Sequence, residues 1–261
     1  LQDDTVSLHT LALTQEDIEK GLRQLGLGQG NAVEVHGSLS SFGKVQGGAA
    51  TVVDALMNVV GEDGTLVMSA YLVSSALPLT EEEKSRGITW KVRRLKQDSN
   101  GKTGMGAIAD EFRRRSDVVC GTGLHRVCAW GHDAQLHSKG YEHLLDVDGW
   151  VLLIGVGIDR CSSMHLAEKV GIPEKITKLF KVPEDIRKDY PQDVWIIGYG
   201  STPDDAWMKV SKEAERRGLI KKCHIGRSEC KLFKAKAVVG IYEELLRTDP
   251  FGLFGVEKDE S

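Results

Sequence analysis

The segment Trp150 to Glu168, WVLLIGVGIDRCSSMHLAE, constrains the fold more than any other part of the chain. Residues Val151 to Val156 form a short, continuous apolar run closed by glycine, the pattern of a buried strand. Gly155 and Gly157 permit a tight turn, Asp159 and Ser162 are helix-starting residues, and the spacing predicts a helix opening at Ser162 or Ser163. His165 falls in its first turn and Glu168 three residues on, so the two side chains share a face. A carboxylate on one imidazole nitrogen fixes the tautomer and leaves the other nitrogen free to take a proton. The helix start disfavours imidazolium and Glu168 favours it, which predicts a pKa near neutrality. The same spacing also suits an ordinary surface pair, because H-x-x-E is common in helices.

The chain has 261 residues and a formal charge of −4, room for one large α/β domain or two small ones and no basic excess of the kind nucleic acid requires. The expected organisation is a single domain over 1–261, with 1–13 and 252–261 loosely ordered. Five cysteines (Cys120, Cys128, Cys161, Cys223 and Cys230) give no even disulfide framework and no C-x-x-C, so a reducing, cytoplasmic setting is expected. No zinc-ligand spacing is present, and no metal is expected. No apolar run approaches the roughly 18 residues of a membrane helix, and the N-terminus lacks the basic-then-apolar order of a signal peptide.

Thr14 to Leu25 reads as a threonine-capped helix with Ile18, Leu22 and Leu25 inward. Strand Ala32 to Val35 runs into His36-Gly-Ser-Leu-Ser-Ser-Phe-Gly43, then Gly47-Gly48 and a helix over 49–60. Strand, hydroxyl-rich loop, glycine pair and helix N-terminus together suit an anion, with Ser38, Ser40 and Ser41 as donors; an ordinary β-α turn has the same order. Two named phosphate motifs are absent. Gly37 to Gly43 has five intervening residues, and Lys44 is followed by Val45, so there is no P-loop. Arg160 stands where the dinucleotide fingerprint requires a third glycine.

Strand 64–68 ends at Ser69-Ala70-Tyr71, facing the serine loop if the two strands are parallel neighbours. Residues 72–103 read as loops with one short helix near Thr80. Seven basic residues lie from Lys84 to Lys102 against the single acid Asp98, a solvated face or a site for anionic groups. A helix is predicted over 104–115, one or two strands over 118–130, a short helix over 132–138 and a strand around 176–180. A further strand is predicted over 194–197, then a helix started by Thr202-Pro203-Asp204-Asp205, a strand around 228–233 and a helix over 235–246.

These motifs resemble the aminoglycoside 3-N-acetyltransferase family over nearly the whole chain. The resemblance rests on His36 to Gly43 with Gly47-Gly48, Asp54-Ala-Leu with Gly61 to Met68, Gly104-Met-Gly106, Phe112-Arg113, Ala129-Trp-Gly131, Leu152 to Asp159 and Ser162-Ser-Met-His-Leu-Ala-Glu168. It implies an α/β fold with a mixed central sheet and flanking helices, distinct from the histone-acetyltransferase-like fold. It also implies acetyl-CoA as co-substrate, held by Ser38, Leu39, Ser40, Ser41, Gly47, Gly48 and Met105, and His165 with Glu168 as the catalytic pair. Tyr71 and Asp159 are the expected substrate contacts, Asp159 through its charge or, alternatively, as a turn cap.

The implied acceptor is the 3-amino group of a 2-deoxystreptamine aminoglycoside. Another small amine, or CoA binding without turnover, is the alternative. A metal-dependent hydrolase using H-x-x-E has no evident third ligand. A homodimer is an open assembly state; nucleic acid and membrane partners are not expected. The chain departs from the family before Ala129-Trp-Gly131: where the family carries Ser-x-His-Pro-x-x-Ser, this sequence has Cys120-Gly-Thr-Gly-Leu-His-Arg126. The basic 84–102 segment would also repel a polycationic acceptor if it lined the cleft.

Overall fold

A computed structural model describes residues 12–200 and 205–258. Its centre is a seven-stranded mixed sheet. The strands are β1 (Ala32–Gly37), β2 (Thr65–Ser69), β4 (Val119–Cys120), β5 (Val127–Gly131), β6 (Trp150–Ile154), β8 (Lys221–Ile225) and β9 (Ser228–Lys234), in the order β4-β5-β2-β1-β6-β9-β8. The three middle strands β2, β1 and β6 are parallel, as expected for the first two, and antiparallel pairs close both sides. A separate two-stranded sheet pairs β3 (Ile88–Arg93) with β7 (Trp195–Tyr199).

Successive side chains on a strand point to opposite faces, and the two faces carry two cores. Val33, Val35, Leu66, Met68, Leu152 and Ile154 pack with α1 (Gln15–Leu25) and α2 (Ala49–Val60), and α3 (Ala107–Phe112) covers the same side. Val67, Val151, Leu153 and Phe233 pack on the other side, against a 3-10 helix (Ser162–Val170), α4 (Asp205–Arg216) and α5 (Ala235–Thr248). The period of two therefore sends Glu34 and His36, which alternate with Val33 and Val35, toward the 3-10 helix. In register they lie beside Val151 and Leu153.

Several local expectations change. The helix at Ser162 is 3-10 over its whole length, and Ser162 does not cap it. Residues 174–177 are helical where a strand was expected, because two prolines bracket the 173–183 excursion and Ile176 alone is buried. β3 and β8 are strands without a clean apolar alternation, β3 exposing Thr89, Trp90 and Arg93 and β8 exposing Lys221, Lys222 and His224. Cys120 and Cys128 are cross-strand partners joined by a disulfide, so the expectation of five unpaired thiols fails for these two; Cys161, Cys223 and Cys230 are free. Part of each expected loose tail is ordered. Leu13 bridges to Val45, and Pro250–Phe254 is a helix burying Leu253 and Phe254. Residues 1–11, 259–261 and the Thr202-Pro203-Asp204 helix start lie outside the described residues.

The turn after β6 ties the sheet to the serine loop. Gly155 has φ +62°, a left-handed conformation that strains any residue with a Cβ. A Cβ there would also lie 2.1 Å from Ser41 Oγ and 2.2 Å from Ser41 Cβ, where Ser41 bonds Ser228 Oγ at 2.8 Å. Gly155→Ala is expected to lower the unfolding free energy by about 2 kcal/mol or more. Urea denaturation measures it, and an unchanged midpoint would show that the serine loop yields freely.

Candidate active site

His165 stands on the first turns of the 3-10 helix, on the wall of a cavity of about 450 Å3. Its Nδ1 lies 3.0 Å from Glu168 Oε2. A carboxylate can only accept, so Nδ1 carries the hydrogen and Nε2 keeps its lone pair. The imidazole is 61% exposed and Glu168 30%, so the ring meets the cavity while its carboxylate partner sits behind it. Glu168 is itself held: the Tyr242 hydroxyl donates to its other oxygen, Oε1, at 3.2 Å. Burial, reinforced by the Glu168 charge, pushes the Tyr242 phenol well above its ordinary value, so it remains a donor. The Trp207 ring packs edge-on against both His165 and Tyr242, at centroid distances of 5.1 and 5.9 Å. Helices α4 and α5 thus supply the backing for a pair carried by the 3-10 helix.

The bond from Glu168 raises the His165 pKa above that of free imidazole; burial works against this, and the charges of Glu168 and Glu34 add to it. The expected balance near neutrality therefore resolves in favour of the carboxylate.

A second histidine-carboxylate pair lies beneath the helix start. Glu34 is fully buried, and its Oε1 accepts from His36 Nε2 at 2.6 Å and from the Ser163 backbone N–H at 3.1 Å. Nearby, Tyr141, Ser69 and Ser162 form a hydroxyl chain, 2.5 Å from Tyr141 to Ser69 and 2.8 Å from Ser69 to Ser162. Burial first, then Glu34, raises the Tyr141 pKa, so the phenol stays protonated. Either hydroxyl of each pair can be the donor, and Ser162, at the end of the chain, lines the cavity.

With this geometry in hand, similarity to known proteins becomes informative. The sequence model of the family described as aminoglycoside 3-N-acetyltransferase matches residues 35–247. The chain belongs to the aminoglycoside 3-N-acetyltransferase family. One relative is the SPbeta prophage-derived aminoglycoside N(3')-acetyltransferase-like protein YokD of Bacillus subtilis (strain 168), 26% identical over 90% of this chain and 93% of that protein. Another is aminoglycoside N(3)-acetyltransferase III of Serratia marcescens, 28% identical over 87% of this chain and 94% of that one. The crystal structure of aminoglycoside acetyltransferase AAC(3)-IVa superimposes with a TM-score of 0.70 at 20% identity, covering 94% of this chain and 92% of that one. The protein is thus an acyltransferase by family, with the expected mixed-sheet fold.

Within this acetyltransferase, His165, Ser38, Met105, Tyr71 and Asp159 line one cavity, and Glu168 stands behind His165. Leu39, Ser40 and Ser41 form a 3-10 turn beside it without lining it, and Gly47 and Gly48 precede α2 away from it. Asp159 is the acid on the lining, but its carboxylate is 3.1 Å from the neighbouring Arg160 Nε, which offsets its charge. The backbone N–H groups of Ser38 and Ser41 are engaged by Ile154 and Ser38 carbonyls. The sequence reading did not single out Glu34, Ser69, Tyr141, Trp207 and Tyr242 as site residues, and it took Ser162 as a helix start. Glu34 alone carried a signal, an acid at an inward strand position.

Replacing Glu168 by glutamine removes the charge that favours imidazolium, so the His165 pKa should fall. An NMR titration of the His165 ring is expected to move to lower pH in Glu168→Gln; an unmoved midpoint would mean that the two side chains do not share a proton in solution.

Proposed function

We propose that the protein transfers the acetyl group of acetyl-CoA to an amine, with His165 as general base. The observation that carries this reading is the His165 imidazole, oriented through Nδ1 by Glu168 and open to the cavity through Nε2. The cavity fits the thiol end of CoA. Val35, Met68, Met105 and Ile108 give it an apolar floor, and Gly104 and Gly106 bring bare backbone to its lining. Ser38 and Met105 are the contacts assigned to the cofactor, with Leu39, Ser40, Ser41, Gly47 and Gly48 on its outward path. Acetyl-CoA supplies an activated acyl group, and the chain's own residues do the rest.

An ammonium has no lone pair and cannot attack. Nε2 of His165 removes the proton as the nitrogen closes on the carbonyl, and Glu168, held by Tyr242, stabilises the imidazolium that forms. Negative charge develops on the carbonyl oxygen and needs a preorganised donor. The Ser162 hydroxyl suits this role, because it lines the cavity and its hydrogen is free for the oxyanion when Ser69 donates to it. The serine loop is less suited, since the Ser38 and Ser41 N–H groups are already spent within the fold. Collapse of the tetrahedral intermediate breaks the C–S bond, and CoA leaves as its thiol. It takes one of the two protons the ammonium loses by way of His165 while the other passes to solvent, so no acylation of the protein is required.

The relatives' names carry an aminoglycoside amine as acceptor. That acceptor, through its 3-amino group, is the first to test here. The neutralisation of Asp159 by Arg160 favours the alternative, a small amine that is not polycationic.

His165→Ala should lower acetyl transfer by about 100-fold or more, the size of a lost general base, while CoA affinity stays within about twofold. A thiol-trapping assay with acetyl-CoA and a panel of amines reads the first, and calorimetry the second. Turnover equal to that of the unsubstituted protein would remove His165 from the chemistry; acceptor-independent silence of both proteins, with CoA bound, would leave a binding protein instead.

A further inference from the structure

Beside the active site is a second recess of about 290 Å3, lined by Arg94, His125, Arg187, Tyr190, Gln192 and Trp195 among others, and by no acid. It lies where β3 and β7 meet the 120–128 loop. Glu184, Asp185 and Asp193 are close in sequence but do not line it, Asp189 is committed to Arg86 at 2.6 Å, and Glu83 to Lys91 and to the Tyr190 hydroxyl. Among the described residues no carboxylate lies within ion-pair distance of Arg94 or Arg187. Arg94 has a single long contact, 3.5 Å, to the Gln192 carbonyl, and the Nε of Arg187 is buried with no hydrogen-bond partner at all. A buried guanidinium nitrogen without an acceptor is costly, and two unpaired guanidinium groups on one concavity repel each other unless an anion joins them. Planar guanidinium forks match carboxylate and phosphate oxygens.

The recess is coupled to the catalytic pair. His125 on its wall stacks against Tyr71 on the wall of the active-site cavity, with ring centroids 4.9 Å apart. Burial depresses the His125 pKa, and the positive charges of His165 and Arg94 depress it further, so these groups share one electrostatic neighbourhood. The His125 position belongs to the stretch that departs from the family's sequence pattern, and the Cys120–Cys128 disulfide closes the loop that carries it.

We propose that this recess binds an anionic group of the acceptor, so that the substrate is an amine that also carries a carboxylate or phosphate. The proposal rests on the transferase reading above. The phosphates of CoA share this chemistry, and the experiment separates the two sources.

The test compares kcat/KM for a series of ω-amino acids, from β-alanine to 6-aminohexanoate, with alkylamines of the same chain length. It also includes O-phosphoethanolamine and gentamicin. At least one anionic amine should exceed its neutral counterpart by about 10- to 100-fold, the worth of a hydrogen-bonded charge pair. In Arg94→Gln/Arg187→Gln this preference should vanish, with kcat/KM for the neutral amine and the Kd of CoA unchanged. Arg187→Lys should keep part of it, which guards against misfolding of the double variant. Equal rates for every pair, faster acetylation of gentamicin, or a preference that survives the double substitution would overturn the proposal. A parallel loss of CoA affinity would assign the recess to the cofactor's phosphates and overturn it too. Absence of CoA release with every amine, while CoA binds, would instead strike the transferase reading; titration of glutarate into the CoA-saturated protein would then decide the recess, where absence of binding overturns the anion site.

Discussion

The Glu34 carboxylate, buried without solvent on the central strand of the sheet, is the interaction on which the active-site geometry depends. A carboxylate in such a place is tolerated only with strong donors, and two reach one of its oxygens: His36 from the same strand and the Ser163 N–H from the start of the 3-10 helix. The second donor explains why the helix begins where it does. Cys161, Ser162 and Ser163 offer no capping side chain, so the first turn is anchored from below by the sheet. Register then does the rest, since β1 is parallel to β6 and the chain leaving β6 returns directly over Glu34. His165 is placed two residues beyond the anchored N–H. Glu34 also acts at a distance: its charge raises the pKa of His165, Tyr141 and Cys161, so one buried anion biases the base toward imidazolium and keeps the hydroxyl chain protonated.

What was legible in the sequence follows from which forces are local. Apolar runs such as Val151 to Ile154 and the threonine cap on α1 declare themselves because burial and capping depend on near neighbours. His165 with Glu168 is of the same kind, a contact between residues three apart. Trp207 and Tyr242 were not legible, because each sits on an amphipathic helix where an aromatic reads as core, and only tertiary packing turns them toward the His165-Glu168 pair. β3 and β8 escaped for the opposite reason: one lies in a two-stranded sheet that exposes Thr89, Trp90 and Arg93, the other is an edge strand that exposes Lys221, Lys222 and His224, so no apolar alternation marks them. The disulfide could not be read from eight-residue spacing, since it depends on two strands that pair only in the folded hairpin.

The basic run from Lys84 to Lys102 shows how composition misleads until partners are known. Lys84, Arg86 and Lys91 are neutralised by Glu81, Asp189 and Glu83, and Arg93 lies over the Trp195 ring. Most of the run is therefore the solvated, paired face that its composition equally allowed. Arg94 is different because it meets Arg187, from a segment more than ninety residues away, over a recess without acids. Unpaired charge, more than total charge, marks a surface as a binding site.

The two halves of the site then make one electrostatic demand on the acceptor. In the proposed transfer, an amine arriving as ammonium brings positive charge toward a histidine whose own conjugate acid is stabilised by Glu168. A purely cationic acceptor would meet the charges of Arg94 and Arg187 with nothing to offset them, and Asp159 is already matched by Arg160. An acceptor carrying both signs avoids that conflict: its anion satisfies the guanidinium groups, while their field disfavours the ammonium and so raises the fraction of amine able to attack. This steering acts across the recess and weakens as ionic strength shortens the screening length, whereas the Glu168-His165 hydrogen bond, at 3.0 Å, lies well inside that length. Salt should therefore act on acceptor recognition before it acts on proton transfer.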